Sequence, residues 1–462
     1  MIAVVLLVMV AVLALVVGAH WYVWRRVVRD TTEGPGPARR IGTVAVIVLP
    51  VLSVGAVLSS RAEAPFWLQR LIAWPGYMWM AVLLYLVMAL LVGEAVRAIW
   101  LRSDRKSAAP GTAEAVPVPG TATVTPATAP AMASPAADPS VPPPADSSVP
   151  PAGDASVPPA ADLSVPPAGD TPAGLLETKP APEPSAAVSR RLFVSRVVGA
   201  GAAVAAVGIV GNGTRGVLNG PTLKRVTVTL DKLPRSAHGF KIALVGDIHL
   251  GSFLSRSHTQ RVVDTINAAR PDLIGMVGDL VDGDVSQLGP EAEPLAQLRA
   301  PHGSFYVVGN HEYYSHAGEW VDRVRELGLT PLENERVEIA AGFDLVGVND
   351  VQGESVGHGP DFAKALRGRD RSRASVLLAH QPILVHDADE HGIDLQLSGH
   401  THGGQLWPGN YVAELANPTV YGLERHGDTQ LYVTRGAGAW GPPVRVGAES
   451  DVTIVQLASR QP

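Results

Sequence analysis

The chain contains no cysteine in its 462 residues. Thiolate nucleophiles, thiolate metal ligands and disulfide staples are therefore excluded, and a metal would have to be held by oxygen and nitrogen donors. Aromatic residues are few, at 5%, and charged residues make up only 17%. Basic charge is not in excess either. The formal net charge is −6, which argues against a general nucleic-acid partner, since such a protein normally shows a basic stripe.

What is present falls into three compositional regimes, and the length suits two or three units. Residues 2–17 are almost wholly apolar, and the run reaches His20-Trp21-Tyr22-Val23-Trp24 before meeting Arg25-Arg26. It is long enough to span a bilayer, with an aromatic belt and a basic flank. A cleavable leader fits poorly, because no positive charge precedes the run. Two further apolar runs, at 41–58 and about 71–93, each hold one proline. Residues 1–106 are thus read as a membrane region with about three transmembrane helices. Arg25, Arg26, Arg29, Arg39 and Arg40 follow the first run, and Arg97, Arg102, Arg105 and Lys106 follow the third. Only Arg61 and Arg70 separate the second run from the third. The two richer sides are expected to be cytoplasmic.

Residues 107–188 lack apolar periodicity and are rich in proline, alanine and serine. The unit Ser-Val-Pro-Pro recurs from Ser140, Ser148, Ser156 and Ser164. This segment reads as a disordered polyproline-type spacer that cannot bury enough surface to fold. Next, within 189–212, Ser189-Arg190-Arg191-Leu192-Phe193 leads into a Gly/Ala-rich apolar stretch. The pattern is similar to a twin-arginine export signal, with Val194 and Ser195 departing from its usual end. A fourth transmembrane helix is the alternative. Either reading puts the following domain outside the cytoplasm, and the first implies export machinery as a partner.

The globular part, residues 221–462, carries the chemistry. Five short apolar runs of buried-strand type each end in polar residues with ligand chemistry, often beside glycine. Lys241 to Val245 ends in Gly246-Asp247-Ile248-His249, and Leu273 to Val277 ends in Gly278-Asp279. Ser304 to Val308 runs into Gly309-Asn310-His311-Glu312. Ser375 to Ala379 ends at His380, and Leu395 to Leu397 precedes Ser398-Gly399-His400-Thr401-His402-Gly403-Gly404. A lone Asp-x-His is usually a turn. Five such ends in one α/β domain point to side chains converging at the carboxyl edge of a sheet. Asp, Asn and His without cysteine suit a pair of divalent ions such as Mn, Fe, Zn or Co.

This series resembles the calcineurin-like metallophosphoesterase superfamily, and within it a bacterial subgroup of membrane-anchored or exported members. Val433-Thr434-Arg435-Gly436-Ala437-Gly438 and Gly441-Pro442-Pro443-Val444-Arg445 extend the likeness. The resemblance implies an α/β fold with four layers, α/β/β/α. It implies Asp247, His249 and His402 around one metal, Asn310, His380 and His400 around the other, and Asp279 between them. His311 would stand beside the phosphate as the catalytic residue, and a water between the metals would attack phosphorus directly. Gly246 replaces a serine common in relatives. Asp282 stands where the purple acid phosphatases have tyrosine, so a tyrosinate-bound iron is not expected. Asp282 and Asp284 are expected to order their loop. Tyr313, Tyr314, Asn349, Asp350 and Arg435 are candidates to line a cleft, and His258, His302, His386 and His391 are read as packing or surface residues. The whole then reads as a phosphoesterase on a bacterial cell membrane, its domain extracytoplasmic, acting on a phosphodiester or phosphomonoester that is lipid-linked or part of the cell envelope. A metal-binding scaffold and a membrane transport or sensor protein are the alternatives.

Overall fold

The computed structural model describes residues 2–62, 64–107 and 190–461. The expected spacer lies outside these, apart from Ser107. Three N-terminal helices, α1 (Ile2–Val23), α2 (Pro37–Arg61) and α3 (Phe66–Ser107), contain the three apolar runs, and a π-helical turn, Trp24–Arg29, extends the first. A fourth helix, α4 (Arg190–Leu218), precedes the globular domain. All four are long and apolar enough to cross a membrane. The arginine-led stretch at 189–212 does not stop there: it continues as one helix to Leu218. Its small residues Ala202 and Ala206 bury against Ala81, Tyr85, Leu86 and Leu90 of α3.

The globular domain contains twelve strands in two six-stranded mixed sheets. The chain runs β1 (Thr222–Leu230), β2 (Lys241–Val245), α5 (Arg256–Ala269), β3 (Leu273–Val277), α6 (Val285–Ala292) and β4 (Ser304–Val307). It continues α7 (Asn310–Tyr314), α8 (Ala317–Glu326), β5 (Thr330–Pro331), β6 (Glu335–Ile339), β7 (Phe343–Gly347), α9 (Phe362–Ala365) and β8 (Ala374–Leu378). Last come α10 (Val385–Glu390), β9 (Leu395–Ser398), α11 (Gly409–Ala413), β10 (Gly422–His426), β11 (Thr429–Val433) and β12 (Asp451–Ser459). The first sheet has the order β1-β12-β2-β3-β4-β5, and the second has β10-β11-β9-β8-β7-β6. Strands β2 to β5 are parallel neighbours, as are β7, β8, β9 and β11.

The central strands are apolar on both faces because both faces are covered. Ile242, Leu244 and Val277 of the first sheet interdigitate with Leu345, Val376, Leu378 and Leu397 of the second. On the outer face of the first sheet lie Val262 and Ile266 of α5 with Trp320 and Val324 of α8. Phe362 of α9 and Ala388 of α10 cover the second. This is the expected α/β/β/α sandwich. The carboxyl ends of β2, β3, β4, β8 and β9 open on one edge of it.

The domain also rests on the helices that precede it. Phe66 packs into its outer core, and the rings of Trp74 and Tyr77 meet Phe253 edge-on at 5.1 and 5.7 Å. Farther along α3, the Tyr85 hydroxyl donates to the Trp407 carbonyl at 2.9 Å.

Candidate metal centre

Each strand end delivers its side chain through a backbone held by its neighbour. The loops after β2 and β3 stay zipped beyond the strands, with Asp247 N–H donating to Gly278 O at 3.0 Å and His249 N–H to Asp279 O at 3.1 Å. The loops after β8 and β9 are joined by Gly399 N–H to His380 O at 3.0 Å. Gly399 is required by a close approach, since a Cβ there would collide with the Asp247 carboxylate. Five site residues sit in the left-handed region: Asp247 (φ 52), His249 (φ 49), Asp279 (φ 50), His400 (φ 73) and His402 (φ 53). Such backbone clusters at functional sites.

The expected ligands meet in two groups, Asp247 with His249 and His402, and Asp279 with His380 and His400, and a third group of His249, Asp282 and His311 adjoins them. The Nε2 atoms of His249 and His402 lie 3.0 Å apart, and His402 Nε2 is 3.5 Å from Asp247 Oδ1. In the other group, His380 Nε2 is 3.1 Å from Asn310 Oδ1, 3.3 Å from His400 Nδ1 and 3.2 Å from Asp279 Oδ2. The same Asp279 oxygen is 3.7 Å from His249 Nε2, so it faces both groups. All seven expected metal-ligand residues are therefore brought together, with His311 beside them.

The donor set fits a pair of cations. His380 Nδ1 meets the Val277 carbonyl at 2.7 Å, and His249 Nδ1 meets Asp282 Oδ1 at 2.8 Å. An oxygen that only accepts fixes a proton on Nδ1, which leaves each Nε2 aimed into the site. Asp247 Oδ2 is buried without a hydrogen-bond partner. Facing nitrogens and an unpartnered carboxylate oxygen form a cradle that draws positive charge.

The electrostatics agree. Burial pushes the Asp247 carboxyl up to about 6. Burial also opposes ionisation of Asp279, but His380, His311 and His249 outweigh it and hold that carboxyl well below its usual range. Burial would lower His380, yet Asp279, Asp247 and Asp350 hold it well above the ordinary value. His400 is pushed down to about 3 by burial and by His380, and His402 is held well below normal by burial, His249 and Arg445.

Around this centre stand residues whose part in it the sequence did not show. Asp282 does not merely order its own loop. Its Oδ1 takes both His249 Nδ1 and His311 Nδ1, the latter at 2.7 Å, because the turn after Asp279 directs it back toward the site. Glu312 is fully buried, and its carboxylate accepts from the backbone N–H groups of Asp279, Leu280 and Gly309 at 3.0, 2.7 and 2.6 Å. It thereby ties the loop after β3 to the loop after β4. Arg445, also buried, donates to the carbonyls of Gly438, His402 and Ala448. Its position in the quoted Gly-Pro-Pro-Val-Arg run was the only signal for it.

The cleft candidates divide. The Tyr314 ring is 5.6 Å from His311, at the mouth. Arg435 stacks over Tyr421 at 4.2 Å. Tyr313 donates to His358 O, as does Asn349 through Nδ2. Asp350 is buried and accepts from Gln352 N–H and Gln381 Nε2. Of the histidines read as packing residues, His258 is buried, His302 and His391 lie against Phe240 and Phe362, and His386 faces His426.

Comparison with known proteins agrees with this geometry. A family profile described as calcineurin-like phosphoesterase matches residues 240–404. An uncharacterized metallophosphoesterase of Helicobacter pylori is 38% identical over 272 residues, covering 58% of this chain and 72% of its own. A transmembrane protein with metallophosphoesterase domain from Danio rerio is 38% identical over 250 residues, 51% of this chain and 57% of that one. An uncharacterized metallophosphoesterase of Bacillus subtilis is 31% identical over 291 residues, covering 59% of this chain and 98% of its own. The chain belongs to the calcineurin-like metallophosphoesterase family, and its globular domain is a hydrolase acting on phosphoric ester bonds. Its relatives come from bacteria and from animals alike.

Proposed function

We propose that the protein is a dinuclear metal-dependent phosphoesterase that hydrolyses a phosphodiester or phosphomonoester directly, without a phosphoenzyme. The observation that carries this reading is the placement of Asp279 Oδ2, 3.7 Å from His249 Nε2 and 3.2 Å from His380 Nε2, between the two ligand groups. Asp247, His249 and His402 would hold one ion and Asn310, His380 and His400 the other, with Asp279 available to both. Divalent ions such as Mn, Fe, Zn or Co would there polarise the phosphoryl oxygens and lower the pKa of a water nucleophile.

His311 supplies the proton. Burial would lower its pKa, but Asp282, then Asp279 and Glu312, raise it to about 9, so the ring is cationic at neutral pH. With Nδ1 committed to Asp282, its Nε2–H is the proton available to the leaving oxygen. Buried apolar strands behind the ligands keep their side chains fixed while the ester is positioned.

The catalytic domain stands outside the cytoplasm of a bacterial cell in this proposal, with α4 inserted through the twin-arginine route or as an ordinary fourth span. Arg26 and Arg97 pair with Glu94, and Arg196 with Glu33, at the end of the bundle away from Leu218, where the domain begins. The substrate is a lipid-linked or cell-envelope ester, which suits a domain tethered this way.

The test uses the full chain in lipid nanodiscs, stripped of metal and reloaded with manganese, against a chromogenic phosphodiester and a chromogenic phosphomonoester. Metal-dependent turnover is expected, with at least a thousandfold loss in Asp279→Asn. A fully active Asp279→Asn variant would sink the assignment.

A further inference from the structure

The rim of the metal centre lies against the apolar helices α3 and α4. Helices α3 and α4 are antiparallel: Val198 lies against Gly93, and Thr214 Oγ1 meets Met78 Sδ at 3.9 Å. The basic end of the bundle sits at the level of Val198, where Arg26 pairs with Glu94 at 2.7 Å and Arg196 donates to Thr31 O at 3.0 Å. At about 1.5 Å per residue, Leu218 stands roughly 30 Å from Val198 along α4, the thickness of a hydrocarbon core. Gly213 stands only about 22 Å along by the same count. Yet Gly213 already touches the domain, for a Cβ there would lie 2.7 Å from Arg445 O and 2.8 Å from Val444. Leu406 and Val446 pack into the same apolar cluster as α3 and α4, and Tyr85 holds the Trp407 carbonyl. The domain thus meets α3 and α4 within, not beyond, their apolar stretches Phe66–Ala98 and Leu192–Leu218, at a depth that these helices would place in lipid.

The side chains displayed there suit that depth. Trp407, Tyr411, Val412 and Trp440 are exposed, and Leu415 is 87% exposed. Glu414 is the sole charge between Leu406 and Leu415. This rim belongs to the reactive centre. The Trp440 ring stands 5.8 Å from that of His311, and Gln405 bonds Trp440 through both its backbone N–H and its carbonyl, at 3.0 and 2.8 Å.

We infer that residues 406–415 and Trp440 form a rim seated in the lipid interface, so that the His311 side of the metal centre takes its phosphoester from a membrane lipid in the plane of the bilayer. The substrate half of this inference rests on the phosphoesterase reading above, and the seating half does not.

Two measurements on the full chain separate them. The chain lacks cysteine, so Leu415→Cys and Asp370→Cys each introduce one thiol for a nitroxide label. In nanodiscs of phosphatidylethanolamine and phosphatidylglycerol, the label at 415 is expected to be relaxed by oxygen in preference to a water-soluble nickel chelate, with the opposite order at 370. Nickel preference at 415 overturns the seating. The second measurement compares long-chain phosphatidic acid and phosphatidylglycerol in the bilayer with their soluble dihexanoyl analogues. Val412→Glu combined with Leu415→Glu is expected to lower the ratio of long-chain to soluble turnover at least tenfold. An unchanged ratio, or hydrolysis of soluble esters alone, overturns the lipid substrate. Absence of all metal-dependent turnover overturns the phosphoesterase reading while leaving the label result standing.

Discussion

Asp282 and His311 form a closed pair, with Oδ1 of the first 2.7 Å from Nδ1 of the second. The carboxylate is itself held well below its usual range, as His249 and His311 outweigh the effect of burial. A cationic His311 is the consequence, and the pH dependence of the reaction follows from it.

His311 acts in its protonated form, so activity holds below its pKa and is lost as pH rises through it. Removing the carboxylate charge in Asp282→Asn therefore moves the alkaline limb of kcat/KM to lower pH. It should also slow turnover by roughly ten- to hundredfold, as for other residues that orient a reacting group. A pH–rate profile for a chromogenic phosphomonoester checks both, and an unmoved alkaline limb would remove His311 as the acid.

Gly399→Ala places a methyl group against the Asp247 carboxylate. The fold should survive, because the glycine lies in a loop beyond β9. Affinity at the Asp247, His249 and His402 group should fall by roughly ten- to hundredfold. Calorimetric titration of the metal-free protein with manganese should then show one weakened site beside one intact site.

Glu312→Gln keeps the shape of a side chain that accepts from three backbone N–H groups, but leaves it one acceptor oxygen. At least one buried N–H loses its partner, at a cost of about 1–3 kcal/mol. Denaturant unfolding should report that loss. Metal affinity should fall with it, since both anchored loops carry ligands, and full retention of stability would show that water replaces the lost acceptor.

His258 gives a prediction unconnected with turnover. Burial lowers its pKa to about 4, against about 6.5 in an unfolded chain. The unfolded chain therefore takes up the proton first as pH falls. The stability that the neutral ring contributes is complete above about pH 6.5 and is lost progressively down to about pH 4, for a total of about 3 kcal/mol. His258→Gln should flatten the stability profile across that window. Parallel profiles for both proteins would refute the linkage.

Much of the metal centre was legible because its ligands sit where a short apolar run stops. Val245 to Asp247, Val277 to Asp279 and Ala379 to His380 mark strand ends by composition alone. Glu312 was not legible, since two of its three donors come from a loop more than thirty residues away in sequence, brought near only when β3 and β4 pair. The two-sheet arrangement could not be read from periodicity either. Strands buried on both faces look alike whichever sheet they join, and the separation appears only in contacts such as His380 Nδ1 to Val277 O. In α4, the apolar stretch read at 189–212 is long enough to cross a membrane because the helix runs on to Leu218, and its small side chains Ala202 and Ala206 bury against α3.

The left-handed backbone at Asp247, His249, Asp279, His400 and His402 has a thermodynamic consequence. Each such position costs the native state about 1–3 kcal/mol relative to relaxed backbone. Asp and His tolerate it better than most residues, and they are also oxygen and nitrogen donors. Conformational tolerance and coordination chemistry therefore select the same amino acids. Glycine would relieve the backbone at all five positions and abolish the centre. The geometry that makes the centre reactive thus draws on the stability of the native state, and the surrounding sheets must over-determine the strand ends to keep them in place.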